Sequence, residues 1–178
     1  MTDVETLSGT LDRVWEGLSA GRGPWRLPVL ATRSVGGGAS ARVVVLRGAV
    51  RTAARLEIWT HAQSGKIAEL RRDPRAEALI WDGAASFQVR LSLQVDLVFG
   101  DAATWATLDD AAKRDYATDP APGTVLDDPH VAPRPDPDLF VRLDARVTAI
   151  ETLHLGADLH RRARFAADDG FAGRWIAP

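Results

Sequence analysis

The sequence contains no cysteine. Disulfides, thiolate nucleophiles, zinc ribbons and cysteine-held iron–sulfur clusters are therefore excluded. A basic excess is also missing, with 22 Lys and Arg against 24 Asp and Glu. The electrostatic footprint of a nucleic-acid binder needs such an excess on one face, so no nucleic-acid partner is expected. Long hydrophobic runs are absent too. Stretches such as Val43-Val44-Val45-Leu46 fall far short of the roughly 20 residues that span a bilayer, and no membrane partner is expected. The start, Met1-Thr2-Asp3-Val4-Glu5, is acidic and has no apolar core. It does not read as a signal peptide, and a cytoplasmic location is the default expectation. No G-x-S-x-G elbow occurs. His61, His130, His154 and His160 are scattered, and none forms an i, i+4 pair, so no metal site is expected.

What is present suits one domain over residues 1–178. Val4, Leu7, Leu11, Val14, Trp15 and Leu18 follow helical spacing, and Thr2 with Glu5 has the separation of a capping box. A strand over Leu27 to Val35 leads to Gly36-Gly37-Gly38, which reads as a hairpin loop. Arg42 to Gly48 and Arg55 to His61 read as strands. Ser64 to Arg72 reads as a short helix, with Ile67 and Leu70 facing inward, ended by Asp73-Pro74. Ala76 to Trp81 is a further strand, and Asp82-Gly83 is a turn signal.

The clearest period lies in Ser86 to Phe99. There Phe87, Val89, Leu91, Leu93, Val95, Leu97 and Phe99 alternate with polar residues. A period of two over this length predicts a long strand with one buried face, and it puts Gln88 and Arg90 on the same side. Ala102 to Ala117 reads as helix, and Thr118 to Asp138 as a proline-rich loop. Leu139 to Leu153 alternates again, with Leu139, Val141, Leu143, Ala145, Val147 and Ala149 on one face. Arg162 to Phe165 and Arg174 to Ile176 read as short closing strands. Strands joined by short turns predict antiparallel pairing, in a closed or nearly closed barrel that removes sheet edges. Trp15, Trp81, Trp105 and Trp175 read as core or interface residues.

One segment suggests an anion. Ser64-Gly65-Lys66 opens a helix directly after a strand. A helix N-terminus carries free N–H groups and partial positive charge, and Lys66 has the wrong sign for its first turn. Either a bound anion resolves the conflict, or the lysine swings into solvent. The segment is not a P-loop, because Thr60 and Ile67 stand where that motif needs glycine and Ser or Thr. Arg42 and Arg47 bracket an apolar strand, on opposite faces if it is regular. Arg162 and Arg164 share a face of a late strand, which could equally be a solvated basic edge.

Taken in order, these blocks resemble the pyridoxamine 5'-phosphate oxidase family of FMN proteins. Arg42-Val43-Val44-Val45-Leu46-Arg47 is similar to the family's R-x-V-L-L-K strand. Trp59-Thr60, four residues before Ser64-Gly65-Lys66, is similar to its Y-T-x-x-x-S-R-K. Glu69-Leu70-Arg71-Arg72-Asp73-Pro74-Arg75-Ala76 resembles E-L-x-x-N-P-R-A, and Trp81 followed by Gln88-Val89-Arg90 resembles W…Q-V-R. His160-Arg161-Arg162-Ala163-Arg164-Phe165 and Trp175-Ile176-Ala177-Pro178 resemble the family's closing R-L-H-D-R-F and W…L-x-P.

The resemblance implies a mainly β fold with flanking helices, a Greek-key antiparallel split barrel, forming a homodimer with FMN at the subunit interface. It implies that Arg42, Ser64 and Lys66 hold the FMN phosphate. The backbone of Val43, Val44, Val45 and Leu46, with Arg47 and Thr60, lines the flavin. Trp59 supplies an aromatic where the family has tyrosine, Gln88 hydrogen-bonds the ring system, and Arg164 reaches it late in the chain. His160 and Arg162 stand in the stretch of the family's substrate motif and are the candidate substrate-binding residues. The chain departs from the pattern at Gly65, where a second phosphate-binding arginine is common, and at Leu153, near a flavin-packing tryptophan. It also departs at the R-L-H motif itself. The expected function is an FMN-dependent oxidoreductase acting on a small molecule. The alternatives are a flavin or phosphorylated-ligand carrier or sensor without turnover, and a true pyridoxamine 5'-phosphate oxidase.

Overall fold

The computed structural model describes residues 4–116, 119–130 and 134–178. Helix α1 (Leu7–Ala20) buries Val14, Trp15 and Leu18. Its N-cap is Thr6, whose side chain accepts from the Gly9 N–H at 3.0 Å, not the expected Thr2–Glu5 box; Thr2 lies outside the described residues. Gly17 sits inside this helix for a packing reason. A Cβ there would meet the Trp25 ring at 2.4 Å.

Strands β1 (Val29–Arg33) and β2 (Ala39–Val43) form a hairpin around the three glycines. The expected continuous strand from Arg42 to Gly48 is divided. Val43 pairs with Val29, Val44 and Val45 carry no strand pairing, and β3 (Leu46–Val50) starts anew against β4 (Arg55–His61). The apolar run therefore crosses between two parts of the sheet instead of lying along one. Helix α2 (Gly65–Arg72) buries Ile67 and Leu70 as its spacing predicts. Strands β5 (Arg75–Asp82), β6 (Phe87–Phe99), β7 (Phe140–Leu155), β8 (His160–Ala166) and β9 (Arg174–Ile176) complete the sheet. The order is β2-β1-β5-β6-β7-β4-β3, with β8 on β7 and β9 on β8, all antiparallel. The sheet does not close: it is a split barrel, mainly β with flanking helices.

The long alternation holds from Phe87 to Val95, which are buried at every second position. Burying each such side chain contributes roughly 1.5–3 kcal/mol. The face then runs out. Leu97 is half-buried, and Phe99 is exposed with the Arg71 guanidinium 5.0 Å from its ring centre. On β7 the expected face also changes phase. Ser92 pairs with Ala149 but Leu93 with Val147, so Thr148 is an extra residue, and its hydroxyl donates to the Ser92 carbonyl at 3.1 Å. This β-bulge bends the strand and reverses its alternation. Ile150 and Thr152 turn inward in place of Ala149.

The segment after β6 was expected to be one helix over Ala102 to Ala117. It forms two, α3 (Ala102–Thr107) and α4 (Asp110–Asp115), because Asp101 and Asp109 each cap a new N-terminus; Ala117 lies outside the described residues. Parts of the expected loop, Thr118 and residues 131–133, also lie outside them. Among the tryptophans, Trp15 is core and Trp105 packs on a second cluster. Trp81 and Trp175 are 48% and 43% exposed. Among the described residues no helix is long and apolar enough to cross a membrane.

Candidate functional site

Lys66 does not swing into solvent. It is half-buried, and its ammonium donates to Thr60 Oγ1 at 2.8 Å and Ser64 Oγ at 3.1 Å. The three side chains converge because Thr60 is an inward residue at the end of β4, while Ser64 and Lys66 flank the start of α2. Ser64 occupies the N-cap without capping its own helix. Burial pushes the Lys66 ammonium below the usual lysine range, Arg42 adds to the effect, and Glu69 opposes it. A cation held in this state, next to a second cation and a helix N-terminus, fits an anionic ligand.

Arg42 is that second cation, but its donors are already engaged. Nη2 donates to Glu69 Oε2 at 2.7 Å and to Ser40 Oγ, and Nη1 donates to Thr32 Oγ1 and the Leu30 carbonyl. Thr32 Oγ1 also donates to Glu69 at 2.6 Å. Burial alone would raise the Glu69 carboxyl, yet hydrogen bonds from Thr32, Ser40 and Arg42 outweigh it and hold the group below the usual carboxylate range. Glu69 thus fixes Arg42 beside Lys66 and leaves Lys66 as the cation turned to hydroxyls alone. From the sequence, Glu69, Thr32 and Ser40 carry no site role; the Arg42–Glu69 and Thr32–Glu69 contacts reach across 27 and 37 residues.

Between these groups lies the break in the apolar run. Val44 and Leu46 are buried and Val43 is exposed; at the break the Val44 N–H donates to the Pro28 carbonyl at 3.0 Å, outside any ladder. Arg47 leaves β3 towards Trp59, with its guanidinium 4.8 Å from the ring centre. Trp59 and Thr60 therefore serve opposite faces of β4: Thr60 turns to Lys66, and Trp59 turns to Arg47.

The remaining candidates sit elsewhere. Trp81, Gln88, Leu153, Arg162 and Ile176 form one lateral row across β5 to β9. Leu79, Arg90, Glu151, Arg164 and Arg174 form the next row on the same face. An ion-pair chain binds this face: Arg90 to Glu77 at 2.8 Å, Arg90 to Glu151 at 3.3 Å, and Arg162 to Glu151 at 2.5 Å. Arg162 is therefore held by Glu151, while Arg164 and His160 are exposed. His160, Arg161, Arg162, Leu159, Trp175, Ile176 and Glu5 line a cleft of about 290 Å³, across which Arg161 bonds Glu5 at 2.8 Å.

The structure thus gathers Arg42, Thr60, Ser64 and Lys66 at one place, and Gln88, Arg162 and Arg164 at another. In register, Thr60 pairs with Val141 and Gln88 with Leu153, twelve positions further along the sixteen-residue β7. At about 3.3 Å per residue this is on the order of 40 Å along the strand. The two groups occupy opposite ends of β7.

This architecture, an open antiparallel sheet flanked by helices, is the fold of solved FMN-binding proteins related to pyridoxamine 5'-phosphate oxidase. A pyridoxamine 5'-phosphate oxidase-related, FMN-binding protein from Nostoc punctiforme PCC 73102 superposes with a TM-score of 0.79. It is 21% identical, over 99% of this chain and 100% of the other. PhzG from Burkholderia lata 383, solved with tetrahydrophenazine-1-carboxylic acid, gives 0.73 at 21% identity over 99% and 95%. A Clostridium acetobutylicum protein related to general stress protein 26 gives 0.61 at 11% over 94% and 98%. No family model and no curated protein matches the chain.

Proposed function

We propose that the protein is an FMN-dependent oxidoreductase that works as a homodimer on a small molecule. The observation that carries this reading is the convergence of Lys66, Thr60 and Ser64 beside Arg42. A phosphate monoester would give the Lys66 ammonium an anionic acceptor in addition to the neutral hydroxyls it now meets, a contact worth roughly 1.5–3 kcal/mol. The backbone at Val45, outside any ladder, with Arg47 and Trp59, would line the ring system. FMN, when bound, supplies the electron chemistry. The chain's own groups bind its phosphate, orient the ring and shape access.

The dimer follows from reading the two groups as half-sites. Gln88 and Arg164 lie at the far end of β7 from Lys66, on a sheet face that its own chain leaves uncovered at Leu79 and Trp81. A second copy brings the partner subunit's Gln88 and the partner's Arg164 to the ring. Apolar side chains at the edges with ion pairs between them suit an interface between copies. Substrate would enter near the His160 cleft, where Leu159, Trp175 and Ile176 offer apolar surface beside a histidine and two arginines. Both arginines are already neutralised by Glu5 and Glu151, which favours an aromatic or weakly charged substrate over a phosphorylated one.

Titration of the purified protein with FMN tests the reading. Quenched flavin fluorescence, saturating at one FMN per chain on a dimer by size exclusion, supports it. A protein that leaves FMN fluorescence unchanged refutes it.

A further inference from the structure

The pair α3–α4 carries an apolar cluster of its own, in which Leu108, Tyr116 and Phe140 are buried with Trp59, Trp105 and Ala112 against them. Its first end is tied to β7, where the Asp101 carboxylate accepts from Arg142 Nε at 2.8 Å. Its other end delivers Tyr116, 7% exposed, whose hydroxyl accepts from Arg47 Nη2 at 2.8 Å. The Trp59 and Tyr116 rings stand edge to face, 6.1 Å apart at 76°, and the Arg47 guanidinium lies 4.8 Å and 5.9 Å from their centres. An arginine at a strand end is ordinarily free to change rotamer. Here two rings and a hydroxyl fix it, and its Nε is buried with no hydrogen-bond partner among the described residues. Burial raises the Tyr116 phenol above its ordinary range, and Arg47 opposes the rise.

We propose that Tyr116 is a positioning residue: delivered by α4, it locks the Arg47 guanidinium at the flavin-lining end of β3, so that a fixed cation faces the ring. This rests on the flavin reading above, because it takes Arg47 to lie beside the ring. A fixed cation there stabilises negative charge on the reduced ring and raises its midpoint potential. A mobile arginine is solvated and does so less.

The chain has one tyrosine, so the ultraviolet phenolate band reports Tyr116 alone. In flavin-free protein, Arg47→Gln should move its titration further upward, and Arg47→Lys should restore most of the wild-type value. In protein loaded with FMN, Tyr116→Phe should weaken FMN binding roughly 3- to 10-fold, the weight of one hydrogen bond, and make the midpoint potential more negative. The double variant should be no worse than Arg47→Gln alone. A tyrosine titration indifferent to Arg47 overturns the proposal. So does a Tyr116→Phe protein with wild-type FMN affinity and potential. If the titration shifts as expected but the wild-type protein takes up no FMN, the flavin reading fails and the proposed role fails with it, while the Arg47–Tyr116 contact stands.

Discussion

Lys66 donates to Thr60 Oγ1 at 2.8 Å, across the junction where β4 gives way to α2. The contact joins the end of a strand to the first turn of a helix, the two places from which backbone and side chains can converge on a phosphate. Lys66 is also buried enough to titrate below the usual lysine range. Two consequences follow for binding.

Replacing Lys66 with Met removes one charge-assisted hydrogen bond, and FMN affinity should fall about 10- to 100-fold. Lys66→Glu should abolish binding by setting like charge beside the phosphate. Flavin-fluorescence titration gives both values, and wild-type affinity in either variant would move the phosphate elsewhere.

The burial of Lys66 beside Arg42 predicts a pH dependence. Lys66 loses its proton at a lower pH than an ordinary lysine, so FMN affinity should decline as pH rises through that lowered value. Lys66→Arg keeps its charge throughout and should extend tight binding to higher pH. Parallel titrations at several alkaline pH values check this.

Glu69 should matter for stability and pH in the opposite sense. Its folded-state pKa is depressed, so its contribution is present above the unfolded carboxylate pKa and is lost as pH falls through the folded value. Glu69→Gln leaves Arg42 without its carboxylate and should cost about 1–3 kcal/mol at neutral pH. The gap in Tm between variant and wild type should close on acidification; a gap independent of pH would contradict the assignment.

Gly17→Ala is a test of packing. Alanine is the better helix former by about 1 kcal/mol, yet its Cβ would meet the Trp25 ring at 2.4 Å. Overpacking of this kind costs roughly 1–3 kcal/mol, so the variant should melt lower than wild type. A higher Tm would show that Trp25 moves aside freely.

The sequence carried those elements whose pattern is local. The alternation from Phe87 to Val95, the α2 face of Ile67 and Leu70, and the convergence of Ser64 with Lys66 all arise from neighbours in the chain. The blocks that resemble the FMN split barrels lie on the elements that carry the two groups of candidate residues at the ends of β7. What could not be read depends on contacts between distant segments. Nothing in Val43-Val44-Val45-Leu46 marks where one ladder stops and another starts, since β-branched residues suit both. Thr148 looks like any outward residue until Ser92 and Leu93 pair on either side of it, and that bulge decides whether Ala149 or Ile150 faces the core. Arg42 reads as a free phosphate ligand, because its partner Glu69 is 27 residues away. Tyr116 is 69 residues from Arg47, just past the end of a helix whose packing no periodicity reveals.

The division of the site between two subunits is the central claim, and a crystal structure of the FMN complex tests it most directly. The account predicts the phosphate against Lys66, Ser64 and Thr60 of one subunit, with the partner subunit's Gln88 hydrogen-bonded to the ring. A phosphate bound away from Lys66, or a ring held by Gln88 of the same chain as that Lys66, would contradict it.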